Sequence, residues 1–292
     1  MNKIRIILSL FVVLILSLIV VVRHINRLTP INMATKTCLV TGASSGIGLE
    51  LSREMVKRGW KVIGIARRED KLRDLEHELG TNDFGSNKFG TNDSGSQAFI
   101  PFVCDVGNQE QVHNVSETIK AMGLKPTLFF LNAGTGELEK KWEFSTAIHQ
   151  QTFATNYFGT IAWIEEWLSS VKQFGGGTFV ATSSVAALLA TPGTAAYATS
   201  KIALVHCFDS LRRQYLHDNI GFITVLPGPT DTEMLKGAGA RSMPFIHKAD
   251  EEAKYIIDQV FAGKKRIEPS WFYSCMLRIL NWLPDKIALK IF

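Results

Sequence analysis

The chain has 292 residues, 46% of them hydrophobic and 20% charged, with a formal net charge of +5. That is enough chain for one large domain or two small ones with a well-buried core, and the composition is that of an ordinary globular protein. Its Lys and Arg residues are scattered instead of gathered into a stripe, which argues against a nucleic-acid partner. The four cysteines, Cys38, Cys104, Cys207 and Cys275, show no metal-ligand spacing. They read as reduced structural thiols, and no metal is expected.

In chain order, the first feature is the 17-residue run Ile6–Val22, interrupted only by Ser9 and Ser17 and bracketed by Arg5 and Arg23. As a helix it spans roughly 25 Å, close to the hydrocarbon core of a bilayer. A cleaved signal peptide would have a shorter apolar region and end in small residues. The run ends Val20-Val21-Val22-Arg23 instead, which favours an uncleaved anchor with a linker over residues 1–32. Basic residues on both sides balance the orientation signal, although a cytoplasmic catalytic domain is the expectation. Met33 is a natural start for a soluble form.

From Lys36 onward, short β-branched runs alternate with longer amphipathic stretches. This rhythm predicts α/β architecture: a single doubly wound parallel sheet of six to seven strands with helices on both faces, spanning residues 33–292. The predicted strands are Thr37–Thr41, Lys61–Ala66, Ala98–Val103, Thr127–Leu131, Gly177–Thr182, Gly221–Leu226 and a weaker one at Arg266–Glu268. The predicted helices are Gly46–Arg58, Asp70–Leu79, Gln109–Ala121, Ser145–Lys172, Ala195–His217 and Asp250–Phe261. Residues 80–97 hold the repetitive GTNDFGSNKFGTNDSGS segment, rich in turn formers, and are expected to form a surface loop. The segment Trp271–Phe292 fits a helix closing the sheet or an oligomer contact; Trp271, Phe272, Leu280 and Trp282 alternatively suit a membrane surface or the mouth of a lipid site.

The chemistry lies at the ends of the predicted strands. The first strand runs into Thr41-Gly42-Ala43-Ser44-Ser45-Gly46-Ile47-Gly48, followed by a helix. Glycines in such a turn let backbone N–H groups approach a pyrophosphate at the helix N-terminus. At the end of the second strand stand Arg67 and Arg68. An acidic residue there would hold the ribose hydroxyls of NAD, whereas arginine accommodates a 2′-phosphate, which points to NADP(H). Tyr197 and Lys201 are four residues apart on one helix, with Ser184 just past the fifth strand. A lysine ammonium about 4 Å from a phenol is worth roughly 4 kcal/mol at an effective dielectric near 20, enough to bring it toward working range.

With these pieces assembled, Lys36–Phe292 resembles the short-chain dehydrogenase/reductase family. The resemblance rests on Thr41–Gly48, Asp105, Leu131-Asn132-Ala133-Gly134, Asn156, Ser184, Tyr197, Lys201 and Pro227-Gly228-Pro229-Thr230-Asp231-Thr232. One departure is Leu131, where the family commonly has Asn. The resemblance implies a Rossmann-type fold and an NADP(H)-dependent oxidoreductase interconverting a ketone or aldehyde and an alcohol. It implies that Gly42, Ser44, Ser45, Gly46, Ile47 and Gly48 hold the pyrophosphate and Arg67 the 2′-phosphate. Asp105 would meet the adenine, while Asn132, Ala133 and Gly134 flank the cofactor. Ser184 would hydrogen-bond the substrate oxygen and Tyr197 exchange the proton. Lys201 would grip the ribose, Asn156 would support a proton relay, and Pro227, Gly228, Thr230 and Thr232 would position the nicotinamide.

Residues 233–247 are similar to the mobile substrate lid of this family, and Met234, Leu235, Met243 and Phe245 suggest an apolar, lipid-like substrate. Family members are often homo-oligomers through their long helices, so a homo-oligomer is the expectation. A non-catalytic NADP-binding sensor or scaffold is the rival from another class, but it predicts loss of Ser184, Tyr197 or Lys201, and all three are present. An epimerase or dehydratase usually carries a larger C-terminal domain, for which too little chain follows Thr232.

Overall fold

The structure is a computed structural model that describes residues 31–81, 97–136, 144–189, 191–237 and 246–288. The apolar run 6–22, most of the 80–97 segment, and Met243 and Phe245 lie outside the described residues. Among those described, no helix is long and apolar enough to cross a membrane.

The strands are β1 (Thr37–Thr41), β2 (Lys61–Ala66), β3 (Phe99–Val103), β4 (Leu128–Leu131), β5 (Gly177–Thr182), β6 (Ile220–Val225) and β7 (Arg266–Ile267). They form one seven-stranded parallel sheet in the order β3-β2-β1-β4-β5-β6-β7. Helices cover both faces, so a central strand must be apolar on both sides. In β1, Cys38 and Val40 enter one core while Leu39 enters the other, and β4 splits Leu128 and Phe130 from Phe129 and Leu131 in the same way.

The first core packs under α1 (Gly46–Lys57) and α8 (Ala249–Phe261) through Leu51, Met55, Ile256 and Ile257. The second packs under α3 (Gln109–Ala121), α5 (Gly159–Gln173) and α6 (Ala195–Gln214) through Val112, Trp163, Trp167 and Phe208. On that face Phe129, Phe179 and Phe222 lie in register across β4, β5 and β6, with ring centres 4.7 and 5.5 Å apart. Phe208 meets Phe222 edge-on at 5.7 Å. Such pairs contribute about 0.5–1.5 kcal/mol each beyond area burial. They lock the strand register beneath the site.

Predicted and observed element ends differ by a few residues, as frayed ends do. One predicted helix is corrected. The stretch Ser145–Lys172 is not one α-helix: α4 (Thr146–Phe153) passes into a π turn at Ala154–Phe158 before α5 begins. Ser145 accepts the Ile148 N–H as the N-cap of α4. At the far side of the turn, a Cβ on Gly159 would stand 2.7 Å from the Val106 carbonyl oxygen, so glycine lets α5 start hard against the loop after β3. Amphipathic periodicity does not report a single inserted residue, and π turns of this kind concentrate at functional sites.

The strand order reverses between β1 and β4, and a parallel sheet opens a crevice at the carboxyl ends of such strands. Here the two ends are tied together. Thr41 Oγ1 accepts the N–H groups of Asn132 at 2.9 Å and Ala133 at 3.0 Å.

Candidate active site

The turn after β1 is shaped by sterics. Gly42 and Gly46 have φ of 73° and 54°, a region that L side chains enter only with strain. A Cβ on Gly48 would lie 2.3 Å from the Gly42 carbonyl oxygen. Ser45 is the N-cap of α1, its side chain makes no capping hydrogen bond, and the first turn of α1 carries no acidic residue. Backbone N–H groups at that helix end therefore face the crevice with the positive end of the helix dipole behind them.

A groove of about 700 Å³ runs from this turn past Arg67, Arg68, Asp105, Ala133 and Gly134. Arg67 is two-thirds exposed and stands 4.0 Å from the Asp105 carboxylate. Arg68, named with Arg67 as a candidate for a 2′-phosphate, is held at both ends. It donates to Ser44 Oγ at 3.2 Å and to Glu233 Oε2 at 2.8 Å, bridging the glycine turn to the short helix α7 (Glu233–Gly237).

Next to the groove lies a cleft of about 360 Å³ that contains Ser184, Tyr197, Lys201, Asn132 and Gly134, with Pro227, Gly228, Thr230 and Thr232 on its far wall. Ser184 caps the short 3₁₀ turn Val185–Ala187, accepting the Ala186 N–H at 3.1 Å, and hydrogen-bonds Tyr197. Lys201 is 3% exposed and donates to the Thr182 carbonyl at 2.8 Å. Its ammonium is 5.6 Å from the centre of the Tyr197 ring. Ser183 Oγ donates to the Lys201 carbonyl at 2.8 Å, fixing α6 to the end of β5.

Asn156, on the π turn, is fully buried. Its Oδ1 accepts the Thr135 N–H at 2.8 Å, and its Nδ2 donates to the Thr135 carbonyl at 3.0 Å and to Ser200 Oγ at 2.9 Å. A Cβ on Gly134 would approach Asn156 Oδ1 at 3.2 Å and Lys201 Nζ at 3.3 Å. Glycine therefore lets the loop after β4 pass between these two polar groups.

The electrostatics correct one expectation. Burial is the larger influence on Tyr197 and raises it above the ordinary phenol value, while the Ser184 hydrogen bond pulls it down. Acidification by Lys201 is not what this geometry delivers. The ammonium is aimed at the Thr182 carbonyl, and burial itself pushes Lys201 down to about 8.

The cleft's apolar walls come from Val185, Leu189, Met234, Leu235, Tyr273 and Leu277. Met234 and Leu235 belong to the predicted lid. Tyr273 and Leu277 stand four apart on α9 (Trp271–Leu280), whereas Trp271 and Trp282 are 67% and 90% exposed and Leu280 is buried with Val185 and Leu277. The mouth is thus lined by the inward face of α9, not by the tryptophans. The i, i+4 spacing of Tyr273 and Leu277 was the available signal, but both ends of that stretch are equally apolar in sequence.

The chain belongs to the short-chain dehydrogenase family, whose pattern matches residues 36–242. It is 32% identical over 199 residues to the uncharacterized oxidoreductase YbbO of Escherichia coli K12, covering 68% of this chain and 66% of that protein. It is 32% identical over 203 residues to retinol dehydrogenase 8 of Bos taurus, covering 68% of this chain and 61% of that protein. These matches span just under two thirds of the relatives' own length. Among solved structures, a short chain dehydrogenase from Burkholderia cenocepacia in complex with NADP superposes with a TM-score of 0.68 at 23% identity, covering 87% of this chain and 94% of that one, a likeness of fold.

Proposed function

We propose that the protein is an NADP(H)-dependent oxidoreductase that interconverts a carbonyl and an alcohol, acting as a reductase on an apolar, lipid-like ketone or aldehyde. The observation that carries this reading is the convergence of Ser184, Tyr197 and Lys201 on one cleft that adjoins a glycine-floored groove. The names of the relatives agree with oxidation and reduction, and the NADP in the Burkholderia complex agrees with the cofactor.

The residues fit a dinucleotide phosphate. Gly42, Ser44, Ser45, Gly46, Ile47 and Gly48 would receive the pyrophosphate, in a turn whose packing against Asn132 and Ala133 a Cβ at Gly42 or Gly48 would disrupt. Arg67 and Arg68 would face a 2′-phosphate, with Ser44 beside them. Asp105 would border the adenine, Asn132, Ala133 and Gly134 the middle of the cofactor, and Pro227, Gly228, Thr230 and Thr232 the nicotinamide end. When bound, the nicotinamide supplies or accepts a hydride.

The chain's own residues manage the proton. Tyr197, kept above its ordinary value, is fully protonated near neutrality, the state that suits giving a proton to a substrate oxygen. Ser184 would donate a hydrogen bond to that same oxygen as charge develops. Lys201 would meet the cofactor ribose from its seat on Thr182, and Asn156 would keep the Thr135 loop in place beside it. Val185, Leu189, Tyr273 and Leu277 would exclude water and favour an apolar substrate. In this reading residues 1–32 anchor the 33–292 domain to a membrane on the cytoplasmic side, and residues 233–247 close over the substrate.

The test is turnover of NADPH and NADH against a panel of apolar ketones by the wild type and Tyr197→Phe. The wild type is expected to prefer NADPH, and the variant to lose roughly two or more orders of magnitude in kcat. Dinucleotide binding without turnover of any carbonyl, with cellular activity intact in Tyr197→Phe, would point to a non-catalytic NADP-binding sensor or scaffold. Turnover confined to polar carbonyls would remove the lipid assignment.

A further inference from the structure

Beneath the cleft's far wall lies a carboxyl that the proposed chemistry does not use. Glu252 sits in the first turn of α8 and is 1% exposed. One of its oxygens is 2.7 Å from Thr230 Oγ1, and the other is buried without a hydrogen-bond partner. Thr230 Oγ1 is also 3.1 Å from the Gly228 carbonyl oxygen. Thr230 and Gly228 both line the cleft that holds Tyr197.

A hydroxyl has a single proton to give. If Glu252 is ionised, Thr230 must donate to it, and the Gly228 carbonyl loses its hydrogen bond. If Glu252 is protonated, it donates to Thr230, and Thr230 donates to Gly228. The state of the carboxyl therefore decides whether the Gly228 peptide is held.

The rest of the loop is fixed independently of this choice. The Pro227 carbonyl accepts the Val185 N–H at 3.0 Å, the Pro229 carbonyl accepts the His247 N–H at 2.9 Å, and Asp231 N–H donates to the His247 carbonyl at 2.9 Å. His247 Nε2 is in turn 3.0 Å from Ser270 Oγ, and Ser270 packs against Gly228.

Charged groups on the surrounding elements are engaged elsewhere. Asp231 pairs with Lys236, Glu251 with Lys248, Arg58 of α1 with Glu54 and with Asp258 of α8, and Arg266 of β7 with Asp209. Burial alone pushes Glu252 up, to about 7, against the pull of the Thr230 hydrogen bond. Both hydrogen-bond patterns are therefore populated near neutrality.

We propose that Glu252 is a positioning residue for the 227–232 loop, acting through Thr230 on the Gly228 carbonyl, so that dinucleotide affinity and loop order both weaken as pH rises. The affinity clause rests on the dinucleotide reading above; the loop-order clause does not.

The experiment uses the full chain as wild type, Glu252→Gln and Thr230→Val. NADPH binding is followed by cofactor fluorescence, and hydrogen exchange of the 227–232 segment is followed without cofactor, each at about pH 6 and about pH 8.5. The Gln amide keeps a donor toward Thr230 at every pH. One hydrogen bond gained or lost corresponds to about a two- to tenfold change in an equilibrium.

The ratio of wild-type to Glu252→Gln dissociation constants is therefore expected to rise from about 1 at the lower pH to several-fold at the higher, the wild type binding more weakly. After correction for intrinsic exchange rates, its loop should exchange faster at the higher pH by a similar factor. Thr230→Val should bind NADPH more weakly at both pH values, with no pH dependence in its ratio to Glu252→Gln. Any titration of the cofactor phosphate is common to all three proteins and cancels in these ratios.

A ratio that stays constant with pH, in binding and in exchange alike, would overturn the proposal. If no variant binds a nicotinamide dinucleotide but the exchange ratio still moves with pH, the oxidoreductase reading fails and the loop device stands.

Discussion

Two turns border the crevice, and they are held in opposite ways. The Gly42–Gly48 turn is built from backbone: its φ values demand glycine, and Gly48 is packed against the Gly42 carbonyl. The Pro227–Thr232 turn has backbone hydrogen bonds to Val185 and His247 and is held in addition by side chains from distant elements, Glu252 and Ser270. The backbone lock of the first arrangement has no titratable group and no rotamer to change, with Arg68 bracing it from outside through Ser44. The second has both, and it lines the same cleft as Ser184, Tyr197 and Lys201, where adjustment of a peptide by one hydrogen bond is consequential. In the proposed reading, the rigid turn would meet the phosphates and the adjustable one the reacting end of the cofactor.

The sharpest way to break this contrast is Gly48→Ala. Backbone cannot retreat from a contact of 2.3 Å. The substitution should cost about 3 kcal/mol or more in chemical denaturation and abolish dinucleotide binding.

The pH dependence of stability comes next. The folded Glu252 carboxyl binds its proton more tightly than the unfolded one, about 7 against the ordinary 4.5. Its contribution is therefore complete below about 4.5 and is lost as pH rises through 7. Wild type should lose about 3 kcal/mol relative to Glu252→Gln across that window, read from denaturation midpoints at stepped pH. Parallel pH profiles for the two proteins would show that Glu252 does not titrate there.

The smallest effect belongs to Gly228→Ala. Its Cβ would meet Ser270 Oγ at 2.4 Å, which can rotate away, and Ser270 Cβ at 2.9 Å, which must shift by a few tenths of an ångström. The cost should be about 1 kcal/mol, with much of it recovered in Gly228→Ala/Ser270→Gly. Equal penalties at Gly48 and Gly228 would show that both turns are backbone-locked.

Much of the fold and site was legible before any coordinates. The β-branched runs at Thr37–Thr41 and Gly177–Thr182 fell where β1 and β5 lie, because strands buried on both faces must be apolar throughout. Ser184, Tyr197 and Lys201 stand out by residue type and spacing, and the fold brings them into one cleft. The π turn at Ala154–Phe158 was not legible, since one extra residue leaves the helical pattern of its neighbours intact. Nor was the seat of Lys201: nothing in its spacing from Tyr197 says that a Thr182 carbonyl would claim the ammonium and leave burial to govern the phenol.

The amino-acid sequence by itself determined the parallel sheet, the glycine turn and which polar side chains meet in the cleft. These follow from local sterics, periodicity and residue chemistry, which act over a few positions. Tertiary structure alone decided which way the Lys201 ammonium points, that Arg68 spans Ser44 and Glu233, and that a carboxyl 22 positions away lies under Thr230. Hydrogen-bond direction and desolvation depend on which groups are brought together and sealed from water, and only the packed chain sets that.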